Sequence, residues 1–262
     1  MKKDKILVSV TNLNEIEAYK KIGITNFLFT IPEFSLDPLC FELAELEKIE
    51  GHVYLNINKI MDTKSLERLK TKINDFSFVR GIFFDDLGVY QIFKDAKIPL
   101  IWHQAHFGTN SASINFWLDK VASAMLSNEL TLLEVKNILS KVTRPVIFNV
   151  FGQNMAMYSK RRLLSAFGQF KGLNLGTRAI LQIGNQNEFI AHENSEGTVL
   201  YYHKYFNYLP FLKEINDEKI WFYYVNPFGL RAEEVIAIIN GQPLSSEEKF
   251  LHHETIYKLE PR

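Results

Sequence analysis

The stretch Val146-Ile-Phe-Asn-Val-Phe151, followed at once by Gly152-Gln-Asn-Met-Ala-Met-Tyr158-Ser159-Lys160-Arg161-Arg162-Leu-Leu-Ser165, decides how this chain folds. An apolar run, a glycine, a short polar turn and a basic helix start read as one strand-to-helix unit. Apolar residues on successive positions, without alternation, suit a parallel strand covered on both faces. The same grammar recurs along the chain. Apolar runs at Ile6–Val10, Asn26–Phe29, Val53–Ile57, Gly81–Phe84, Leu100–Trp102, Val121–Leu126, Val146–Phe151 and Ile220–Val225 are each followed by a helix-like segment. Those segments are Glu15–Lys21, Leu39–Lys48, Ser65–Ile73, Val89–Phe93, Ser113–Leu118, Leu132–Leu139, Arg161–Phe167 and Ala232–Ile239. Thr131-x-x-Glu134 and Asn12-x-x-Glu15 have the capping-box pattern, and Asp62-Thr63 offers an N-cap before Ser65.

Eight such units in 262 residues match the count and size of a (β/α)8 barrel. The expected fold class is therefore α/β, a TIM-like barrel, with a doubly wound sheet as the alternative. The period breaks between Ala179 and Tyr205. There Leu181–Phe189 and Thr198–His203, flanking Gly184-Asn185 and Glu196-Gly197, read as antiparallel strands inserted before the last unit. The tail from Pro243 to Arg262, with its late Tyr257, is expected to pack across one barrel end. One domain over 1–262 is predicted, with 179–205 as the insertion and 243–262 as the tail.

Composition narrows the function classes. Thirty basic residues balance thirty acidic ones, so no global field draws the chain to nucleic acid or membrane, and RNA contact needs a local patch or a partner. Cys40 is the sole cysteine, which excludes an internal disulfide and a cysteine-held cluster supplied by this chain alone. The apolar run after Met1-Lys-Lys-Asp-Lys5 is too short for a signal-peptide core or a membrane span, so a cytoplasmic protein is expected.

In a barrel, functional groups gather at the C-terminal ends of the strands. Those ends carry Thr11 and Asn12, Thr30, Asn56 and Asn58, Asp85 and Asp86, His103 and Gln104, Asn128 and Glu129, Gln153, and Asn226. This ring, rich in neutral amides, suits a ligand bound by hydrogen bonds. Asn12 and Asn128 serve equally well as helix caps. Asp85-Asp86 could act as base or metal ligand, but neighbours on a strand face opposite ways, which favours a capping role. His103 is a candidate catalytic group. His106 shares no zinc-like spacing with it. No HExxH, GxSxG, P-loop or GxGxxG pattern occurs, so no metal site is predicted.

Lys160-Arg161-Arg162 on the first turn of a helix would oppose the helix dipole, at a cost of a few tenths to about 1 kcal/mol. That mismatch points to an external anion, bound by the basic side chains and by N–H groups after Gly152 and Gln153. A solvated charged face is the plain alternative. Tyr158, Phe167 and Phe170 could stack on bases, although such residues more often belong to a core.

Four stretches resemble the collagenase-like peptidase family, peptidase family U32. They are Gly51–Asn56, Ile101–Ser111 with its Thr109-Asn110-Ser111 ending, Leu126–Val135 with Glu129 retained, and Gly152–Ser165 with Tyr158, Ser159 and Arg161 in register. Glu193–Thr198 and Glu254–Lys258 are also similar. The departures matter as much. Where the family pattern carries two cysteines, this chain has Met155 and Arg162, and Ile147 and Asn128 replace a Glu and an Arg. The resemblance implies a relative of proteins that bind an iron–sulfur cluster and hydroxylate RNA or a quinone precursor, yet Met and Arg cannot replace the thiolates. The expected cofactor is therefore none.

The variant is similar to a short, cysteine-poor branch of Gram-positive bacteria, paired with a longer, cysteine-bearing subunit in 5-hydroxylation of tRNA uridine. The resemblance thus implies a degenerate, pseudoenzyme-like partner or RNA-handling subunit. Glu129, His103 and Asn110 are the candidate catalytic residues, and Gly152, Gln153, Tyr158, Ser159, Lys160, Arg161 and Arg162 the candidate substrate- and anion-binding ones. Partners would be the longer subunit and tRNA, without a membrane. Proteolysis, the activity in the family's name, is the alternative. It lacks an assembled triad, since Ser159 and Lys160 as helix neighbours would not face each other. An inert ligand-binding barrel is the third possibility.

Overall fold

The computed structural model describes residues 1–104, 106–183 and 187–246. The apolar runs become strands β1 (Ile6–Ser9), β2 (Asn26–Thr30), β3 (His52–Ile57), β4 (Gly81–Phe84), β5 (Leu100–Trp102), β6 (Ser123–Ala124) and β7 (Val146–Gly152). Four strands come next, β8 (Met155–Ser159), β9 (Arg178–Ile183), β10 (Asn187–Asn194) and β11 (Gly197–Tyr202). The short β12 (Phe206–Asn207) and the long β13 (Ile220–Asn226) then return to the first sheet. The helices are α1 (Ile16–Lys21), α2 (Leu43–Leu46), α3 (Thr63–Thr71), α4 (Leu87–Phe93), α5 (Ser111–Leu118), α6 (Leu132–Lys141), α7 (Leu163–Lys171) and α8 (Ala232–Ile239).

The main sheet runs β12-β7-β13-β1-β2-β3-β4-β5-β6, parallel throughout except for β12 against β7. Beyond β6 the chain meets β7 again. Met125 bridges Ile147, and the Leu126 N–H donates to the Ile147 carbonyl at 2.9 Å. The result is a mixed α/β fold on a curled, mostly parallel sheet, compatible with a TIM-like barrel.

Side-chain alternation explains the curl. Leu7, Leu28, Tyr54, Phe83, Ile101, Met125, Ile147 and Phe222 project from the concave face and form one buried cluster that draws on every parallel strand or its extension. Residues of opposite parity, such as Val8, Phe27, Phe29, Leu55, Phe84 and Val225, pack the convex face against the helices. Each large apolar side chain so buried contributes about 1.5–3 kcal/mol. Both faces are dry, which is why the runs lack alternation.

The expected caps form at two helices. Thr131 and Glu134 complete a reciprocal capping box on α6, and the Asp62 carboxylate accepts from the Ser65 amide on α3. At the third site Asn12 accepts from the Asn14 amide and opens a single 3-10 turn ahead of α1, so it is not a capping box on α1 itself.

The inserted antiparallel strands form, but within a larger sheet than expected. It is a four-stranded antiparallel sheet in the order β8-β11-β10-β9, and its first strand comes from the Gly152–Ser165 block. That block is thus not a turn leading straight into a helix. Met155–Ser159 pair with β11, and only at Leu163 does α7 begin. The predicted turn at Gly184-Asn185 and the tail from residue 247 onward, Tyr257 included, lie outside the described residues.

Candidate functional site

The alternation that builds the apolar floor also builds the site. Two residues beyond Tyr54, Phe83, Ile101, Ile147 and Phe222 on the same face stand Asn56, Asp85, His103, Asn149 and Tyr224. All five line one cavity at the C-terminal ends of the strands, with about 50 Å³ of space inside. Asn58, Asn128 and Gln153 join them from the segments just past the strands, and Asn226 from the last position of β13. The second sheet and the loop after β2 close it from above with Met155, Tyr201 and Asp37.

Hydrogen bonds hold these side chains in fixed orientations. The Asn149 amide N–H donates to Asn128 Oδ1 at 3.1 Å and to Asn154 Oδ1 at 3.2 Å. Gln153 Nε2 donates to the His203 carbonyl at 2.8 Å, and Asn226 Nδ2 to the Gln153 carbonyl at 3.1 Å. Asn58 accepts from the Leu36 amide and donates to Asp37, which also accepts from the Tyr201 hydroxyl at 2.7 Å.

The atoms these bonds leave over are the decisive feature. Asn56 Oδ1, Asp85 Oδ1, His103 Nδ1, Asn149 Oδ1 and Gln153 Oε1 are buried and have no hydrogen-bond partner among the described residues. Among the described residues only His192 and Tyr208 carry such atoms elsewhere. Natural proteins leave few buried polar groups unpaired, so a concentration of them in one cavity marks a place for water or a ligand.

His103 Nδ1 and Asp85 Oδ1 approach to 3.7 Å, which is too long for a hydrogen bond. Nor do they form an ion pair. Burial pushes the Asp85 carboxyl well above the usual range, reinforced by the charges of Asp37 and Asp86, and burial lowers the His103 imidazole to about 4. The imidazole is therefore neutral near pH 7, and the carboxyl is disfavoured from ionising. Asp37 is also raised, because burial outweighs its bonds from Tyr201 and Asn58.

Of the candidates for catalysis, only His103 reaches the cavity. Asn110 caps α5, its Oδ1 accepting from the Ser113 amide at 2.9 Å. Glu129 is half-exposed beside His106, 3.3 Å away. The three are not brought together. Asp85 and Asp86 divide their roles as strand parity requires: Asp85 faces the cavity, while Asp86 caps α4 through the Gly88 amide and also accepts from the Met61 amide. Asn128 lines the cavity, whereas Asn12 is a cap.

The expected anion site is also rearranged. Gln153 belongs to the cavity, but the backbone at Gly152 is packed against β13. Tyr158 donates to the Glu196 carbonyl and Ser159 accepts from the Arg161 amide. Lys160, Arg161 and Arg162 are exposed and precede α7 instead of sitting on its first turn. The amides of that turn are already satisfied from within. The buried Glu193 carboxylate accepts from the Leu164 amide at 2.7 Å, the Ser165 amide at 3.2 Å, the Thr198 hydroxyl at 3.2 Å and the Ser165 hydroxyl. Phe167 and Phe170 are exposed rather than core, because α7 buries only Leu164 and Gly168.

Burial pushes the Glu193 carboxyl up, yet the bonds from Ser165, Leu164 and Thr198 outweigh it and hold it below the usual range. Its stabilisation is therefore complete above the ordinary Glu value of about 4.3 and is lost as pH falls through the lowered native value. Glu193→Ala should cost about 2–4 kcal/mol at pH 7, since it removes a helix cap and leaves buried donors unpaired. Urea unfolding at pH 7 and pH 3 tests this. The gap between variant and parent should narrow in acid, and an equal gap at both pH values would refute the assignment.

The model of peptidase family U32 matches residues 30–182, more than half of the chain. The chain belongs to peptidase family U32. No curated protein matches it. The matched span runs from the end of β2 into β9, so it holds β3 to β8 and most of the cavity lining.

Against the U32 cysteine pattern, Met155 lines the cavity and Arg162 stands outside it at the start of α7. Cys40 donates its thiol to the Asp37 carbonyl at 3.4 Å, and burial pushes that thiol up to about 11, away from the thiolate a metal requires. This donor set does not fit an iron–sulfur cluster. Among the described residues, no three His, Cys, Asp or Glu side chains come together as a metal site, and no helix is long and apolar enough to cross a membrane.

Proposed function

We propose that this U32 protein recognises a ligand and leaves the redox step to another chain. It serves, without a cluster of its own, as partner or RNA-handling subunit of a longer, cysteine-bearing relative in 5-hydroxylation of tRNA uridine. The observation that carries the recognition role is the cavity: five buried polar atoms without a partner among the described residues, at the strand ends where barrel enzymes keep their substrates. The cavity lining contains no serine, threonine, cysteine or lysine to act as nucleophile. The RNA-handling role draws support from exposed Lys160, Arg161 and Arg162, with Phe167 and Phe170 exposed nearby in sequence. Cations paired with aromatics suit single-stranded RNA.

Loss of the gene should lower 5-hydroxyuridine in tRNA at least several-fold. Reversing Lys160, Arg161 and Arg162 to Glu should weaken tRNA binding at least tenfold and flatten its salt dependence. Nucleoside mass spectrometry and filter binding read the two outcomes. Unchanged 5-hydroxyuridine would remove the assigned pathway. The chain purified anaerobically should show no stoichiometric iron–sulfur absorbance, and finding it would overturn the division of labour.

A further inference from the structure

The unpaired atoms of the cavity are not a random set. Asn149 donates its amide N–H groups to Asn128 Oδ1 and Asn154 Oδ1, which leaves its own Oδ1 turned toward the cavity. Gln153 cannot turn its amide around, because its Nε2 donates to the His203 backbone carbonyl. Asp85 and Asn56 each add a further unpaired oxygen. Asn149 and Gln153 are each 4% exposed and Asn56 is 5% exposed, so these oxygens lie below the surface, in the cavity. The cavity therefore presents four oxygen acceptors from β3, the segment just past β4 and the end of β7, beside His103 Nδ1, with two carboxyl groups, Asp85 and Asp37, on its walls.

We propose that this cavity binds a small nitrogen cation bearing several N–H donors, an amidinium, guanidinium or primary ammonium group, held by Asp85, Asn149 and Gln153. This rests on the recognition role proposed above and not on the RNA assignment. A carboxylate or phosphate would bring lone pairs to face lone pairs, beside two acids that already resist ionisation. A cation with several donors reverses both penalties. It pairs the fixed oxygens, and it supplies the positive charge that lets Asp85 ionise in place. A planar amidinium also offers its donors at the edge in a fork, the geometry a carboxylate accepts in two parallel bonds.

Acetamidinium, acetamide and acetate share one shape and differ in donors and charge. Titration of the full chain with each at constant ionic strength, followed by calorimetry or NMR, separates the cases. Acetamidinium should bind saturably and at least tenfold tighter than acetamide, with no saturable binding of acetate. Asp85→Asn should lower acetamidinium affinity at least tenfold and bring it close to that of acetamide. The three-probe series on the unaltered chain decides the matter even when the variant fails to fold. Acetate or acetamide binding as tightly as acetamidinium would overturn the donor class while leaving recognition intact. No saturable binding of any probe would mean that solvent completes these oxygens, and it would overturn the donor proposal and the recognition role at this cavity together. The tRNA measurements test the RNA role separately.

Discussion

Replacing Gly152 with alanine is expected to destabilise the protein by about 3–5 kcal/mol, enough to leave much of the chain unfolded at moderate temperature. Gly152 has φ +139°, a conformation that side chains with a Cβ rarely adopt, and forcing it on alanine costs about 1–3 kcal/mol. The new Cβ would also lie 2.1 Å from the Asn226 carbonyl oxygen. That obstacle is backbone, not a flexible side chain. Gly152 pairs with Asn226 on β13 and with Phe206 on β12, so relief requires parting strands on both sides, for about 1–3 kcal/mol more. The damage extends to the site, because Asn226 donates to the Gln153 carbonyl. Urea unfolding should show a lower midpoint, and a variant within about 1 kcal/mol of the parent would show that β7 and β13 part easily. Gly152 thus lets two strands approach closely.

The eight strands and eight helix segments were legible because burial on both faces writes an unbroken apolar run. No tertiary contact has to be known to see it. β4, β5 and α8 have the bounds read from sequence, and the remaining ends shift by a few residues. Among the strands the fragment around β6 shrank most, since Ser123 and Ala124 alone keep the ladder before the chain turns to bridge β7. Much of the cavity was legible too, because strand ends are local features. Asn149 was missed although its signal was present: it is the lone amide in Val146–Phe151, in phase with inward Ile147. Asp37, Asn154 and Tyr201 gave no such signal. They reach the cavity only because the second sheet and the loop after β2 fold over the strand ends, a long-range event. The same blindness applies to the basic segment. Nothing near Lys160 reveals that Glu193, some thirty residues on, occupies the start of α7.

The second sheet must stay seated for the cavity to exist, and the Lys59–Glu196 pair is where its attachment should break most readily. Lys59, just past β3, is buried, and its ammonium donates to the Glu33 carbonyl at 3.0 Å and to Ser65 Oγ at 3.4 Å while pairing with the Glu196 carboxylate. Glu196 sits in the β10–β11 turn, where its side chain is 23% exposed. The two partners therefore differ in what each loses when left alone. Glu196→Ala strands a buried ammonium with two neutral acceptors and should cost about 3 kcal/mol. Lys59→Met leaves a carboxylate that turns to water and puts an apolar chain in a buried place, so about 1 kcal/mol is expected. The double variant should be more stable than Glu196→Ala alone, because the stranded charge is gone. Hydrogen exchange should show β10 and β11 opening first in Glu196→Ala, while β2 and β3 keep the protection of the parent. Amidinium binding should weaken in step, since Tyr201 and Met155 belong to the sheet that loosens. A Lys59→Met variant less stable than Glu196→Ala would contradict this order, and would mean that the lysine acts mainly by tying Glu33 and Ser65 together within the main body instead of seating the second sheet through the ion pair.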